Sequence, residues 1–247
     1  MSVSPEPAPS CALALLRVLA ARRSAPAAAW LDEQAAPPPE PGTPAFARLF
    51  ARAARFLKGP LAPTGDEAAA LRQAGIAAPE DWAAVDLLRA ALLLAAFPEP
   101  HDSDPVRVEA AFRTSDTAER VALMRALVLL PDPVRFAPLA AEACRTSVQP
   151  VFDAVACGNG FPARCFDDGA FNRMVMKAVF TGTPIARIHG LFGHGLFGHG
   201  LFGHGLAGRM NPALRRMAAD ARAEREAAGR PVPPDLILLL EPESVTP

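Results

Sequence analysis

Residues 166–190 read FDDGAFNRMVMKAVFTGTPIARIHG, and residues 209–230 read RMNPALRRMAADARAEREAAGR. Each carries the local signals of one helix. With Asp167 as N-cap, Phe166 falls at N′ and Phe171 at N4, the spacing of a hydrophobic staple. Phe171, Met174, Val175, Ala178 and Val179 then form one apolar stripe, while Asn172, Arg173 and Lys177 fall off its middle and read as a solvated shoulder. Gly182 and Pro184 end that helix. In the second stretch Asn211 is placed to cap, Pro212 to occupy N1 and Gly229 to follow the last turn. Leu214, Met217, Ala218 and Ala221 are expected to face inward. Arg216 with Asp220, and Arg222 with Glu226, are spaced for i,i+4 contact. Three consecutive copies of Gly-Leu-Phe-Gly-His, beginning at Gly190, separate the two helices.

The same grammar extends upstream. Ser10 is placed to cap a helix through Arg23, and Pro26 to start a short one holding Trp30 and Leu31. Residues 36–44, APPPEPGTP, cannot continue a helix and read as a surface linker. Phe46, Leu49, Phe50 and Ala53 repeat at helical spacing up to Gly59-Pro60. A capped segment runs from Thr64 to Gln73. Pro79-Glu80-Asp81 reads as the first turn of a helix reaching Phe97, apolar around most of its surface and expected to be central. Pro98 and Pro100 stop it. Asp104-Pro105 opens a short helix, and Ser115 is the expected cap of the next, with Glu119 near the capping-box position. Helices over 136–144 and 148–157 follow, then a loop at 158–162. Strand alternation is absent. The reading is all-α: a multi-helical layered bundle of short antiparallel helix pairs, α-solenoid-like in arrangement but without a fixed sequence period. One domain is expected over 10–240, with flexible ends at 1–9 and 241–247.

Composition narrows the function. Twenty-five basic and 26 acidic residues give a net charge of −1 with no long single-sign run, so no nucleic-acid partner is indicated. The longest uninterrupted apolar run, 90–97, is far short of the roughly 18 residues of a membrane span. The N-terminus lacks a positive n-region and its apolar run is broken by Arg17, so a cytoplasmic location is expected. Four cysteines (Cys11, Cys144, Cys157 and Cys165) form no CxxC pair and read as reduced thiols.

His189, His194, His199 and His204 recur every five residues. That spacing separates side chains by about 140° on a helix and puts them on opposite faces of a strand, so no metal site is expected. Cohesive or membrane-touching behaviour of Gly-Leu-Phe-Gly is a second reading; a tandem duplication tolerated in a surface loop is the favoured one. No GxSxG, P-loop, HExxH or Rossmann fingerprint occurs, and neither catalytic residues nor a cofactor are assigned. Asp167-Asp168 and His101 have local explanations or no evident partner.

Several motifs resemble the EboA family of metabolite-traffic proteins. They are Asn159 with Phe161-Pro162, Phe166-Asp167, AFNRMVMKAVF from Ala170, Pro184, Ile188-His189-Gly190-Leu191, Arg209, Asn211, Leu214, Met217 and ERxxAGRPVPP from Glu224. FRTSDTAERVALMRALVLLPDP and AAEACRTSVQPVFDAVA upstream are similar too. The likeness covers most of the chain, more loosely before Trp82. Gly160 stands where the family usually has Pro. Deleting residues 192–206 leaves IARIHGLAGRMNPAL and restores the family spacing, so the repeat reads as an insertion in a helix connector.

The resemblance implies a bacterial protein of secondary metabolism, encoded beside a prenyltransferase-like membrane protein and enzyme-like proteins, and linked to moving metabolites towards the periplasm. It implies a non-enzymatic helical binding or scaffold protein, contacting a hydrophobic metabolite or proteins of the same gene cluster. The alternative is an enzyme of isoprenoid or aromatic metabolism with a site between helices. Candidate ligand- or partner-binding residues are Asn172, Lys177, Arg187, Arg209 and Asn211.

Overall fold

The computed structural model describes residues 9–34, 38–97, 104–192 and 208–241. The expectations for His101, Pro98, Pro100, His194, His199, His204, most of the repeat and nearly all of both chain ends lie outside the described residues. Within them the chain is all-α: helices joined by short turns, with no strand.

The helices are α1 (Pro9–Arg23), α2 (Ala25–Gln34), α3 (Pro44–Arg52), α4 (Gly65–Gln73), α5 (Ala84–Ala95), α6 (Pro105–Thr114) and α7 (Thr117–Ala126). After them come α8 (Ala137–Ala143), α9 (Gln149–Ala156), α10 (Phe161–Cys165), α11 (Asp168–Thr181), α12 (Pro212–Ala227) and α13 (Pro234–Leu240). Local chemistry accounts for most boundaries. Thr64 and Glu67 close a reciprocal capping box at α4, with Thr64 N donating to Glu67 at 3.1 Å. Asp167 Oδ1 accepts from Ala170 N at 2.6 Å to start α11, and Gly182, at φ 74°, ends it. Asn211 Oδ1 accepts from Leu214 N at 2.9 Å to start α12.

α5 is the hub. Every residue from Asp86 to Ala95 is buried, as a helix apolar around its circumference requires. It packs against α1 on one side and α7 on another, and α7 in turn packs on α9. Buried apolar residues form one cluster from Ala12 to Leu239. The α12–α13 hairpin closes it, with Leu214, Ala218, Leu236 and Leu239 inaccessible.

Four expectations are corrected. Pro79–Asp81 is a separate 3₁₀ turn, because the backbone at 82–84 pairs with 59–61 before α5 begins. Leu61 N donates to the Trp82 carbonyl at 2.8 Å and Ala84 N to the Gly59 carbonyl at 2.9 Å. Asp116, not Ser115, caps α7: its carboxylate accepts from Glu119 N at 2.8 Å, and Asp116 N donates in return to the Glu119 carboxylate at 3.1 Å. Ser115 instead ends α6, its hydroxyl donating to the Ala111 carbonyl. The expected loop at 158–162 runs into α10, which the short spacing between Pro162 and Asp167 concealed. Met217 is 36% exposed, off the narrow stripe of Leu214, Ala218 and Ala221 that α12 buries.

Candidate functional site

Two neighbouring regions of α11 hold the polar residues of interest. The first is a clasp tying 158–172 to 187–211. Asn159, inside the protein, donates to the Met124 and Ala154 carbonyls at 3.2 and 2.8 Å and accepts from Phe161 N at 2.9 Å. Gly158 N donates to the Arg187 carbonyl at 2.9 Å. Gly158 has φ 59°, and a Cβ there would lie 2.7 Å from Ala78 Cβ and from Asp81 Oδ2, so a larger residue is barred on both counts. Gly190, at φ 74°, would meet Ala163 Cβ at 2.8 Å.

Arg209 is the centre of the clasp. Its guanidinium donates to the Ala163 carbonyl at 2.7 Å, the Phe166 carbonyl at 3.0 Å and Asp168 Oδ1 at 2.9 Å, and sits 4.6 Å from the Phe171 ring centroid. It therefore satisfies carbonyls at the end of α10, which have no partners within so short a helix. Asn172 and Asn211 exchange amide bonds at 3.1 and 2.9 Å. Asn172, read as part of a solvated shoulder, is only 3% exposed: the α11–α12 contact covers it, and Asn211 supplies the partner that burial demands.

The two chain segments flanking the repeat meet here. Arg209 N donates to the Gly190 carbonyl at 2.8 Å and Met210 N to the Leu191 carbonyl at 3.2 Å. With residues 192–206 removed, both bonds would be i→i+4, those of one helical turn.

The second region is a cleft of about 350 Å³ between α8 and α11. Ala141, Cys144 and Arg145 line it from the α8 side at i, i+3 and i+4. Ala170, Arg173, Met174 and Lys177 line it from α11 at i, i+3, i+4 and i+7. The face of α11 thus looks across open space at the C-terminal end of α8 and the turn that follows it. Lys177 Nζ donates to the Cys144 and Thr146 carbonyls, each at 2.5 Å, and lies 4.7 Å from the Phe152 ring centroid. It thereby caps the C-terminal end of α8, where a cation meets both free carbonyls and the negative helix end. Burial pushes the Cys144 thiol up to about 12, against the opposing pull of Lys177, so it presents an uncharged, polarisable surface. Arg145 pairs with Glu142 at the rim at 2.7 Å.

Of the five residues predicted from sequence, Arg209, Asn211 and Asn172 come together in the clasp, and Lys177 lines the cleft. Arg187 stands apart, its guanidinium 3.1 Å from Asp81 while its carbonyl serves Gly158. Among the described residues no group of three or more His, Cys, Asp or Glu is placed to hold a metal ion.

The chain matches the family described as metabolite traffic protein EboA over residues 12–241. It belongs to the EboA family. No curated protein and no solved structure matches it.

In this EboA-family chain the motif residues Asn159, Phe166, Gly190, Arg209 and Asn211 are clasp residues, while the whole cleft lining falls in the family-like stretches 140–156 and 170–180. Sequence reasoning missed Arg145 and Arg173 as cleft residues, although Arg173 and Lys177, four apart beside Ala170 and Met174, carried the signal. It also missed the buried ion pairs of the first half. Glu67, 7% exposed, accepts from Arg23 at 2.7 Å, which outweighs its burial and holds its carboxyl down at about 2. Asp86 accepts from Arg125 at 2.8 Å and from Ala83 N at 3.0 Å, yet burial dominates and raises its pKa. No helix among the described residues is long and apolar enough to cross a membrane.

Proposed function

We propose that this chain is a non-enzymatic binding protein of metabolite traffic, holding a hydrophobic metabolite in the cleft between α8 and α11. It would act in the cytoplasm, passing cargo to proteins of the same gene cluster, among them a prenyltransferase-like membrane protein, for export towards the periplasm. The observation that carries this reading is the cleft itself: open space with an apolar floor of Ala141, Ala170 and Met174, in a family described by metabolite traffic. Lys177, the cleft residue best suited to acid–base chemistry, has its ammonium directed at two backbone carbonyls, which supports a holding role over a chemical one.

Metabolite profiling of a strain lacking the gene tests it. Complete product retained on the wrong side of the inner membrane is expected. Accumulation of an untransformed precursor would replace this reading with an enzyme of isoprenoid or aromatic secondary metabolism.

A further inference from the structure

We infer that the α8–α11 cleft takes an organic acid, a carboxylate or phosphate on a compact apolar body, with Arg173 as the principal partner of the anion. This rests on the cleft being the metabolite site and adds the chemical class of its occupant.

Arg145, Arg173 and Lys177 line the cleft, and no carboxylate does. A neutral hydrocarbon would gain nothing from three cations around one space, whereas an anion among them is attracted by all three. The three differ in what they have left to offer. Arg145 shares its charge with Glu142 on the outer rim. Lys177 touches two carbonyl oxygens and the Phe152 ring, so its position is fixed by uncharged groups and its charge is not cancelled. Arg173 is exposed and forms no ion pair among the described residues. Asp168, the acid nearest in sequence, pairs with Arg209, and Asp167 directs its Oδ1 at the Ala170 amide. Arg173 thus retains a full guanidinium fork, the geometry that matches carboxylate and phosphate oxygens in pairs.

The rest of the lining suits the other end of such a molecule. Ala141 and Ala170 leave room, Met174 is an adaptable apolar surface, and the Cys144 thiol is uncharged. Ala170 also lies in the first turn of α11, where the helix dipole favours negative charge. The volume of about 350 Å³ is that of roughly a dozen liquid waters, which suits a small ring system or short chain and not a whole lipid.

The test is a titration of the full chain with 1-pyrenebutyrate and with its methyl ester, the same apolar body without the charge, followed by fluorescence anisotropy. The acid is expected to bind at one site and at least about tenfold more tightly than the ester. Arg173→Glu should bring the two to near parity, while Arg222→Glu on α12 should leave the preference intact. Ala170→Trp and, from the opposite wall, Ala141→Trp should each block both probes. Equal affinity for acid and ester, with both blocked by the tryptophans, would overturn the anion inference and leave the cleft as the site. Failure of both probes to bind, or binding indifferent to both tryptophans, would overturn the cleft reading itself. Association with phosphatidylglycerol vesicles without binding of the dissolved acid would overturn the small-ligand inference in favour of a membrane surface.

Discussion

The clasp and the cleft share α11 but use their charges in opposite ways. In the clasp, Arg209 has three oxygens and a ring around its guanidinium, and Asn172, Asn211 and Asn159 exhaust their amides on one another or on backbone. In the cleft, on a neighbouring face of the same turns, Arg173 forms no ion pair among the described residues and lines open space. A polar side chain whose bonds are all made inside the protein contributes position; one with bonds still to make contributes recognition. The family-like stretches carry both kinds, the clasp residues of the first and the cleft lining of the second.

Mutations should separate the two. The largest effect is expected from Arg209→Ala, which strands the Ala163 and Phe166 carbonyls together with Asp168. A loss of about 2–4 kcal/mol in urea unfolding is expected, with Arg209→Lys recovering less than half of it because an ammonium cannot reproduce the fork. Asn211→Ala removes a helix cap and leaves the buried Asn172 amide unpaired, for about 2 kcal/mol. In a double-mutant cycle with Asn172→Ala, a coupling of about 1 kcal/mol is expected, and additivity would mean that the amide exchange contributes nothing.

Glu67 belongs with the clasp residues, since its bonds are also complete. Its folded pKa lies below its ordinary value of 4.5, at about 2, because Arg23 favours the carboxylate. Its contribution is therefore full above pH 4.5 and is lost as pH falls towards 2. Melting temperatures across that window should fall less steeply in Glu67→Gln than in the parent. Asp86 has the opposite sign: burial raises its pKa, so it contributes most when protonated and that contribution is lost as pH rises through its folded pKa.

Removing residues 192–206 shortens a connector whose ends already meet, and a modest gain of about 1 kcal/mol is expected from the lower closure entropy. A large loss instead would mean that the repeat contributes to the fold. Smallest of all should be the effect of Arg173→Glu on unfolding, within about 0.5 kcal/mol, although it is expected to abolish the preference for acids. A variant that unfolded the protein would move Arg173 to the clasp side of the comparison.

What the sequence disclosed follows the range of each interaction. Caps at Thr64, Asp167 and Asn211 and terminators at Gly182 and Gly229 were legible because donor and acceptor lie within a few residues. Asp116 was missed by one position: Ser115 is an equally good capping residue, and only the three-residue spacing to Glu119 selects between them. The pairs Arg23–Glu67 and Asp86–Arg125 join residues about forty apart, and no local pattern announces them. Lys177 was singled out, but its partners are carbonyls of another helix, which carry no side-chain identity to read. The cleft depends on where the end of α8 lies beside α11, so its cations could be noticed singly and not as a set.

The meeting of Gly190 with Arg209 and of Leu191 with Met210 has one more consequence. A unit of five residues is a whole number of codons, so slippage during copying of the gene adds or removes a copy without disturbing the reading frame. Because the two anchoring bonds join Gly190 and Leu191, at the very start of the repeat, to Arg209 and Met210 beyond it, a protein lengthened or shortened within 192–206 is expected to keep the same docking of α11 on α12. Copy number at this position is thus expected to vary, and close relatives should differ here by multiples of five residues.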